Sequence, residues 1–233
     1  MIVVGHRGMR FVEPENTLRA VKRALELGVD AVEVDVRRTR DGHLVLMHDP
    51  TVDRTTNGRG RVRDLTLAEI RRLDAGKGER VPTLTEVLEV VRGKAKLFLE
   101  IKEPDIVGDV VREVKREGML GEVLFISFFH PAVRKLKELV PKAEVGIIFS
   151  CEPVDPASLA KQAGASWIAA NFAFTTRELV EKAHRAGLKV NVWVVNTPED
   201  LRRARDLGVD AVTTDRADLI VPLVRSRGLD EFI

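Results

Sequence analysis

Charged residues stand where a strand would bury them. Glu33 and Asp35 alternate with Val32, Val34 and Val36, and Glu100 and Lys102 alternate with Leu97, Leu99 and Ile101. Side chains alternate between the two faces of a strand, so each run has an apolar face and a charged one. Burying carboxylates and ammonium groups costs several kcal/mol unless they are paired or hold a metal. An internal salt-bridge network is the plain explanation, with Arg7 and Lys102 against the acids. The charges do not balance: three carboxylates and two cations give −3 + 2 = −1. Two carboxylates about 5 Å apart repel by roughly 3 kcal/mol at an effective dielectric near 20. A divalent cation relieves that repulsion. Glu33, Asp35 and Glu100 offer only oxygen and no cysteine is near, so the hard ions Mg²⁺ or Ca²⁺ suit better than zinc. With the ion the total is +1, which a phosphodiester of charge −1 would neutralise.

Two histidines join this set. His6 ends an apolar run, Ile2 to Val4, and precedes Arg7. His48 follows Leu44-Val45-Leu46-Met47, after the turn Arg40-Asp41-Gly42-His43. Asp-Gly between strand residues signals a two-residue hairpin. With Arg40 paired to His43, paired positions sum to 83, and His48 lies opposite Asp35. His43 and His184 read as surface residues, and Ser127 has no neighbours that would make it a nucleophile. Trp193 reads as a pocket lining, Thr17 as a helix cap, and Asn16 equally as a cap or a site residue. Cys151 reads as a buried thiol. Phe128, Phe129, Phe172 and Phe174 read equally as an apolar rim or as core.

These residues need a frame. Leu27-Gly28-Val29-Asp30-Ala31-Val32 recurs as Leu207-Gly208-Val209-Asp210-Ala211-Val212. Each copy reads as a helix end, a glycine cap and a strand start. Strands are expected to begin near residues 2, 30, 96, 123, 145, 167, 190 and 211, with amphipathic helices such as Thr17–Leu27 and Pro198–Leu207 between them. Eight such units fit an α/β fold, the (β/α)₈ or TIM barrel, better than a doubly wound open sheet. The long step from 30 to 96 implies a small insertion after the second strand, roughly 49–82, within a single domain spanning 1–233. Asp53–Gly60 reads as an exposed loop inside it. In a barrel the late, inward residues of the strands line the active-site mouth.

Composition narrows the class. The 233 residues include 38 Lys and Arg against 36 Asp and Glu, a net +2, so no basic surface argues for nucleic acid. Hydrophobic residues are 44%, enough for a core. No apolar run is long enough to span a membrane, and the opening residues are too short a run for a signal peptide. With one cysteine, no internal disulfide forms, and a cytoplasmic protein is expected. The 32% charged residues and single glutamine hint at a thermophilic habitat.

In order along the chain stand His6-Arg7-Gly8, Pro14-Glu15-Asn16-Thr17, Glu33-Val34-Asp35-Val36, Asp41-Gly42, His48-Asp49 and Asp53-Arg54-Thr55-Thr56-Asn57-Gly58. They are followed by Val81-Pro82-Thr83-Leu84, Glu100-Ile101-Lys102, Ser127-Phe128, Val192-Trp193-Val194-Val195-Asn196 and Thr214-Asp215. This ordered series resembles the glycerophosphodiester phosphodiesterase family over essentially the whole chain. The resemblance implies a barrel enzyme that cleaves small glycerophosphodiesters into glycerol 3-phosphate and an alcohol. It implies His6 and His48 as the acid–base pair, and Glu33, Asp35 and Glu100 as ligands of a divalent cation. Arg7 and Lys102 match the groups that hold the phosphate. The stretch Asp74–Arg80 is shorter than in many relatives, which bears on the choice of leaving group.

The chemistry expected is a two-step displacement. Metal coordination makes the glycerol hydroxyl easier to deprotonate. His6 takes its proton as it attacks phosphorus, His48 protonates the leaving alcohol, and water then opens the cyclic phosphate. A lysophospholipase D, or a lyase on lysolipids that stops at the cyclic product, would use the same residues. A non-catalytic phosphate-binding protein would be favoured by a missing histidine or carboxylate, and none is missing. A Schiff-base role for Lys102 is disfavoured by the three carboxylates that keep it charged.

Overall fold

Alternating apolar residues make parallel strands that close on themselves. The computed structural model describes residues 1–226. Along the chain run β1 (Ile2–Gly5), α1 (Leu18–Glu26), β2 (Ala31–Arg38), β3 (Leu44–Leu46), α2 (Leu67–Ile70), α3 (Leu84–Val91) and β4 (Lys96–Ile101). Next are α4 (Val107–Arg116), β5 (Val123–Ser127), α5 (His130–Leu139), β6 (Glu144–Phe149), α6 (Pro156–Ala163) and β7 (Trp167–Asn171). The last are α7 (Arg177–Arg185), β8 (Lys189–Trp193), α8 (Pro198–Leu207), β9 (Ala211–Thr214) and α9 (Ala217–Arg225). Eight strands pair in parallel in the order β1, β2, β4, β5, β6, β7, β8, β9, and β9 closes on β1. This is the expected (β/α)₈ barrel, and each barrel strand starts within one residue of the position read from the sequence.

The outward strand face carries Val32, Val34, Val36, Leu97, Leu99 and Ile101, all buried against the helices. Removing one such side chain, as in Leu99→Ala, costs about 2–5 kcal/mol. The inward face holds a smaller apolar plug with Val4, Phe98, Leu124, Trp167 and Ala211. Helix starts are fixed by side-chain caps. Thr17 accepts from Ala20 N, as expected, and Thr66 and Thr83 form capping boxes with Glu69 and Glu86.

Between β2 and α3 lies the long connection. Strand β3 pairs antiparallel with β2, and its Val45 joins Met47, Val52, Val62, Ile70, Ala75 and Val81 from beyond it in a separate small core. The hairpin register differs from the expected one. Arg37 pairs with Val45 and Arg38 with Leu44, so paired positions sum to 82, not 83. The loop has three residues, Arg40-Asp41-Gly42, because Thr39 N donates to His43 O and Thr39 Oγ1 accepts from His43 N. Gly42 closes it at φ 87°, where a side chain would be strained. Asp35 therefore faces Met47, whose N–H donates to its carbonyl, and His48 lies past the end of the strand.

Two other readings change. Cys151 is exposed just beyond β6, not buried. Of the four phenylalanines, Phe172 is buried while Phe128, Phe129 and Phe174 are exposed. Among the described residues, no helix is long and apolar enough to cross a membrane.

Candidate active site

The parallel register brings the acids together. Asp35 pairs with Glu100 across β2 and β4, and Glu33 lies two residues earlier on the same face as Asp35. One carboxylate oxygen from each of Glu33, Asp35 and Glu100 lies within 4.8 Å of the others, and all three residues are buried. Lys102 Nζ reaches Glu100 Oε1 at 2.6 Å and Asp35 Oδ1 at 3.0 Å. Arg7 N donates to Glu33 Oε2 at 2.9 Å, and Arg7 Nε lies 3.4 Å from Asp35 Oδ2. Two buried polar atoms here lack a well-directed hydrogen bond: the donor Arg7 Nε and the acceptor Asp35 Oδ1. A phosphate oxygen fits the Arg7 donor and a cation fits the Asp35 acceptor. The all-oxygen donor set and its excess negative charge fit a hard divalent ion.

Burial, then repulsion from Asp35, pushes the Glu100 carboxyl up to about 7 and Glu33 well above its ordinary value. Burial acts the same way on Asp35, but Lys102 and Arg7 outweigh it and hold that carboxyl well below the usual range. On Arg7 and Lys102 burial is outweighed in turn by the carboxylates, so both stay charged.

His6 and His48 reach the same cavity, which has about 170 Å³ of space. A water needs only about 10–15 Å³ on that measure, so the cavity is sized for a small molecule. His6, Arg7, Glu33, His48, Glu100 and Lys102 line its polar side, and Ile126, Phe128, Ile148, Ala169 and Trp193 line the other. Trp193 is a lining residue, as read from the sequence. Its ring meets Phe128 edge-on at 5.8 Å and its Nε1 donates to Ala169 O. All eight residues singled out from the sequence thus converge on one end of the barrel.

Each histidine is backed by an aspartate. His6 Nδ1 lies 2.7 Å from Asp215 Oδ1, and Asn196 Nδ2 donates to Asp215 Oδ2. His48 Nδ1 lies 2.6 Å from Asp49 Oδ1. Ionised carboxylates only accept, so each imidazole donates through Nδ1 and keeps Nε2 for the cavity. His6 Nε2 sits 3.9 Å from Glu33 Oε2. Burial lowers the pKa of both histidines, against the opposing pull of Asp215 on His6 and of Asp35 and Asp49 on His48.

Two supports, Arg37 and Glu15, were not singled out from the sequence, while Asn16, read equally as a cap or a site residue, takes the second role. Arg37 Nε and Nη2 both donate to His48 O and so fix its backbone. Asn16, at φ 57°, caps no helix: its Nδ2 donates to Asp35 Oδ2 and its Oδ1 accepts from Asp35 N. Glu15 accepts from Arg7 Nη1 at 2.8 Å. Ser127 Oγ donates to Ile101 O and is structural, as is His130, whose Nε2 lies 3.0 Å from Ile148 O.

The sequence profile of the glycerophosphoryl diester phosphodiesterase family matches residues 6–219. A glycerophosphodiester phosphodiesterase of Caldanaerobacter subterraneus subsp. tengcongensis is 40% identical over 240 residues, covering 97% of this chain and 99% of the relative. Among solved structures, a phosphodiesterase of Oleispira antarctica in complex with the product sn-glycerol-3-phosphate superposes with a TM-score of 0.92. It is 30% identical, and 97% of each chain is covered. A glycerophosphodiester phosphodiesterase of Thermotoga maritima gives a TM-score of 0.83 at 28% identity, covering 96% of this chain and 98% of that one. The chain therefore belongs to the glycerophosphoryl diester phosphodiesterase family and is a phosphoric diester hydrolase.

Proposed function

We propose that the chain is a metal-dependent glycerophosphodiester phosphodiesterase that releases glycerol 3-phosphate from small glycerophosphodiesters by histidine acid–base catalysis. The observation that carries this reading is the convergence of two imidazoles, Glu33, Glu100, Arg7 and Lys102 on one cavity, with the Asp35 carboxylate clustered beside the two glutamates. Glu33, Asp35 and Glu100 would hold one Mg²⁺ or Ca²⁺, which supplies Lewis acidity to the glycerol hydroxyl and the phosphate. The whole chain serves as one domain, with the insertion near 49–82 supplying His48's surroundings.

The chain's own residues divide the proton work. The His6 side chain is 15% exposed and that of His48 34%. His6 is the more deeply desolvated and has Arg7 beside it, so it holds a proton poorly and serves as the first base. His48 is the wetter of the two, and Asp35 and Asp49 favour its proton against burial and the charges of Lys102 and Arg7, so it is assigned the proton that the leaving alcohol needs. Arg7 and Lys102 bind the phosphate, and their charges count for more as the phosphorane-like charge builds. The roles then reverse as water opens a cyclic phosphate.

The test is glycerophosphocholine hydrolysis followed by phosphorus NMR, with and without a chelator, beside His6→Ala. Chelator and substitution should each remove nearly all turnover. Full activity of His6→Ala would remove that residue from the mechanism, and an accumulating cyclic phosphate would make the chain a lyase.

A further inference from the structure

The segment Asp53–Gly58 has no part in the chemistry above, yet one of its side chains reaches the site. Most of the segment bonds inward. Asp53 Oδ1 accepts from Gly60 N, Thr55 Oγ1 donates to Met47 Sδ, Thr56 Oγ1 donates to Val52 O, and Asn57 exchanges bonds with the backbone of Asp74. These contacts hold the loop's own shape. Arg54 points the other way. Its Nε and Nη2 donate to Asp49 Oδ2 and Oδ1 at 2.7 and 3.1 Å, and its Nη1 and Nη2 donate to Glu15 Oε2 and Oε1 at 3.0 and 2.7 Å.

Both acceptors touch the cavity residues. Asp49 is the partner of His48 Nδ1, and Glu15 is the partner of Arg7 Nη1. One planar guanidinium therefore grips both oxygens of two carboxylates, one behind the proposed acid and one behind the proposed phosphate clamp. The Arg54 side chain is 47% exposed, and exposed ion pairs contribute little to stability. Four directed bonds from a surface arginine are better explained by what they hold in place.

We propose that Arg54 is a positioning residue that sets His48 through Asp49 and tunes Arg7 through Glu15. The inference rests on the proposed catalytic reading and adds a role for the insertion. Held by two bonds, Asp49 keeps the imidazole of His48 at a fixed angle. Glu15 Oε1 is shared between Arg7 and Arg54. Without Arg54, Glu15 belongs to Arg7 alone, and the phosphodiester must compete with it for that guanidinium.

The experiment measures kcat, KM and melting temperature on glycerophosphocholine for wild type, Arg54→Ala, Arg54→Lys, Asp49→Ala and the double variant Arg54→Ala/Asp49→Ala. Arg92→Ala, at an equally exposed arginine paired with Glu117, is the surface control. Arg54→Ala is expected to lose about 10- to 100-fold in kcat and to raise KM, with a melting temperature near that of Arg92→Ala. Arg54→Lys keeps the charge but not the double fork, so it should melt like wild type and still lose kcat. The double variant should lose no more kcat than the worse single one, because both changes act on His48. Wild-type kcat and KM in Arg54→Lys, or additive kcat losses in the double variant, would overturn the proposal. An inactive wild type would instead strike the catalytic reading itself.

Discussion

Replacing Glu100 by glutamine should stabilise the metal-free protein while abolishing its response to metal. The Glu100 carboxyl is pushed up to about 7 by burial first and by Asp35 second. A raised carboxyl means that the folded state keeps a proton the unfolded chain has already released. Stability therefore falls as pH rises from about 4.5 to about 7, and the penalty is complete above that. A displacement from 4.5 to about 7 corresponds to about 3 kcal/mol. Coulomb's law gives a similar figure: 332/(20 × 4.8), about 3 kcal/mol, for two carboxylate oxygens at 4.8 Å, the upper limit of their separation, at a dielectric near 20. The Lys102 bond is already counted in that displacement, and what stands against the gain is the amide NH2, a buried donor with the Lys102 ammonium beside it. That cost is about 1.5 kcal/mol, leaving a net gain of about 1–2 kcal/mol at pH 8. For a chain of this size the melting temperature should rise by about 2–8 °C in chelator. A cation at 100 times its Kd adds about 2.7 kcal/mol to the wild type and little to the variant, so the order of melting temperatures reverses. The assay is thermal unfolding by circular dichroism at pH 5 and pH 8, with chelator and with Mg²⁺ or Ca²⁺. At pH 5 wild-type Glu100 is protonated, and the gap between the two proteins should close. A variant less stable than wild type in chelator at pH 8, or equally stabilised by the cation, would refute the reasoning.

Asp215→Asn removes the charge behind His6 Nδ1 and is expected to cut kcat by about 100-fold, with the acid limb of the rate profile moved to lower pH because Asp215 raises His6. Steady-state kinetics across pH would check both effects. Asn16→Ala frees Asp35 from two bonds and should weaken cation affinity by about 10- to 100-fold, measured by isothermal titration calorimetry. Gly8 sits at φ 83°, and a Cβ there would meet the Ala20 backbone at 2.5 Å, so Gly8→Ala should cost about 2–4 kcal/mol in chemical denaturation. Thr83→Ala breaks a capping box at the start of α3 and should cost about 1 kcal/mol in the same measurement.

The barrel was legible because its signal is local. Val32, Val34 and Val36 announce one face of a strand regardless of what packs on it, and Glu33 and Asp35 are conspicuous against them. The hairpin misled by one residue because Asp41-Gly42 fits either a two- or a three-residue loop. The choice was made by Thr39 Oγ1, which takes the His43 N–H. The error did not displace His48, since its place is set by Arg37 gripping its carbonyl rather than by the ladder. Cys151 misled because it follows a buried strand by only two residues, and the chain turns outward there.

What stayed hidden is the layer behind the reacting groups. Asp215 lies 209 residues from His6, and Glu15 lies 39 from Arg54. No periodicity links such pairs, because loops from different barrel strands meet only after closure. The two layers also differ in how they fail. The carboxylates sit on adjacent strands whose register pairs Asp35 with Glu100, so displacing one would require the barrel itself to shift. His48, by contrast, stands beyond its strand and depends on Arg37, Asp49 and, through Asp49, Arg54. The acids are thus fixed by the barrel's backbone ladder, and one imidazole by side-chain bonds beyond the end of its strand. Substitutions in the 49–82 connection should accordingly alter kcat while leaving cation binding intact, whereas substitutions of the acids on β2 or β4 should weaken cation binding and turnover together.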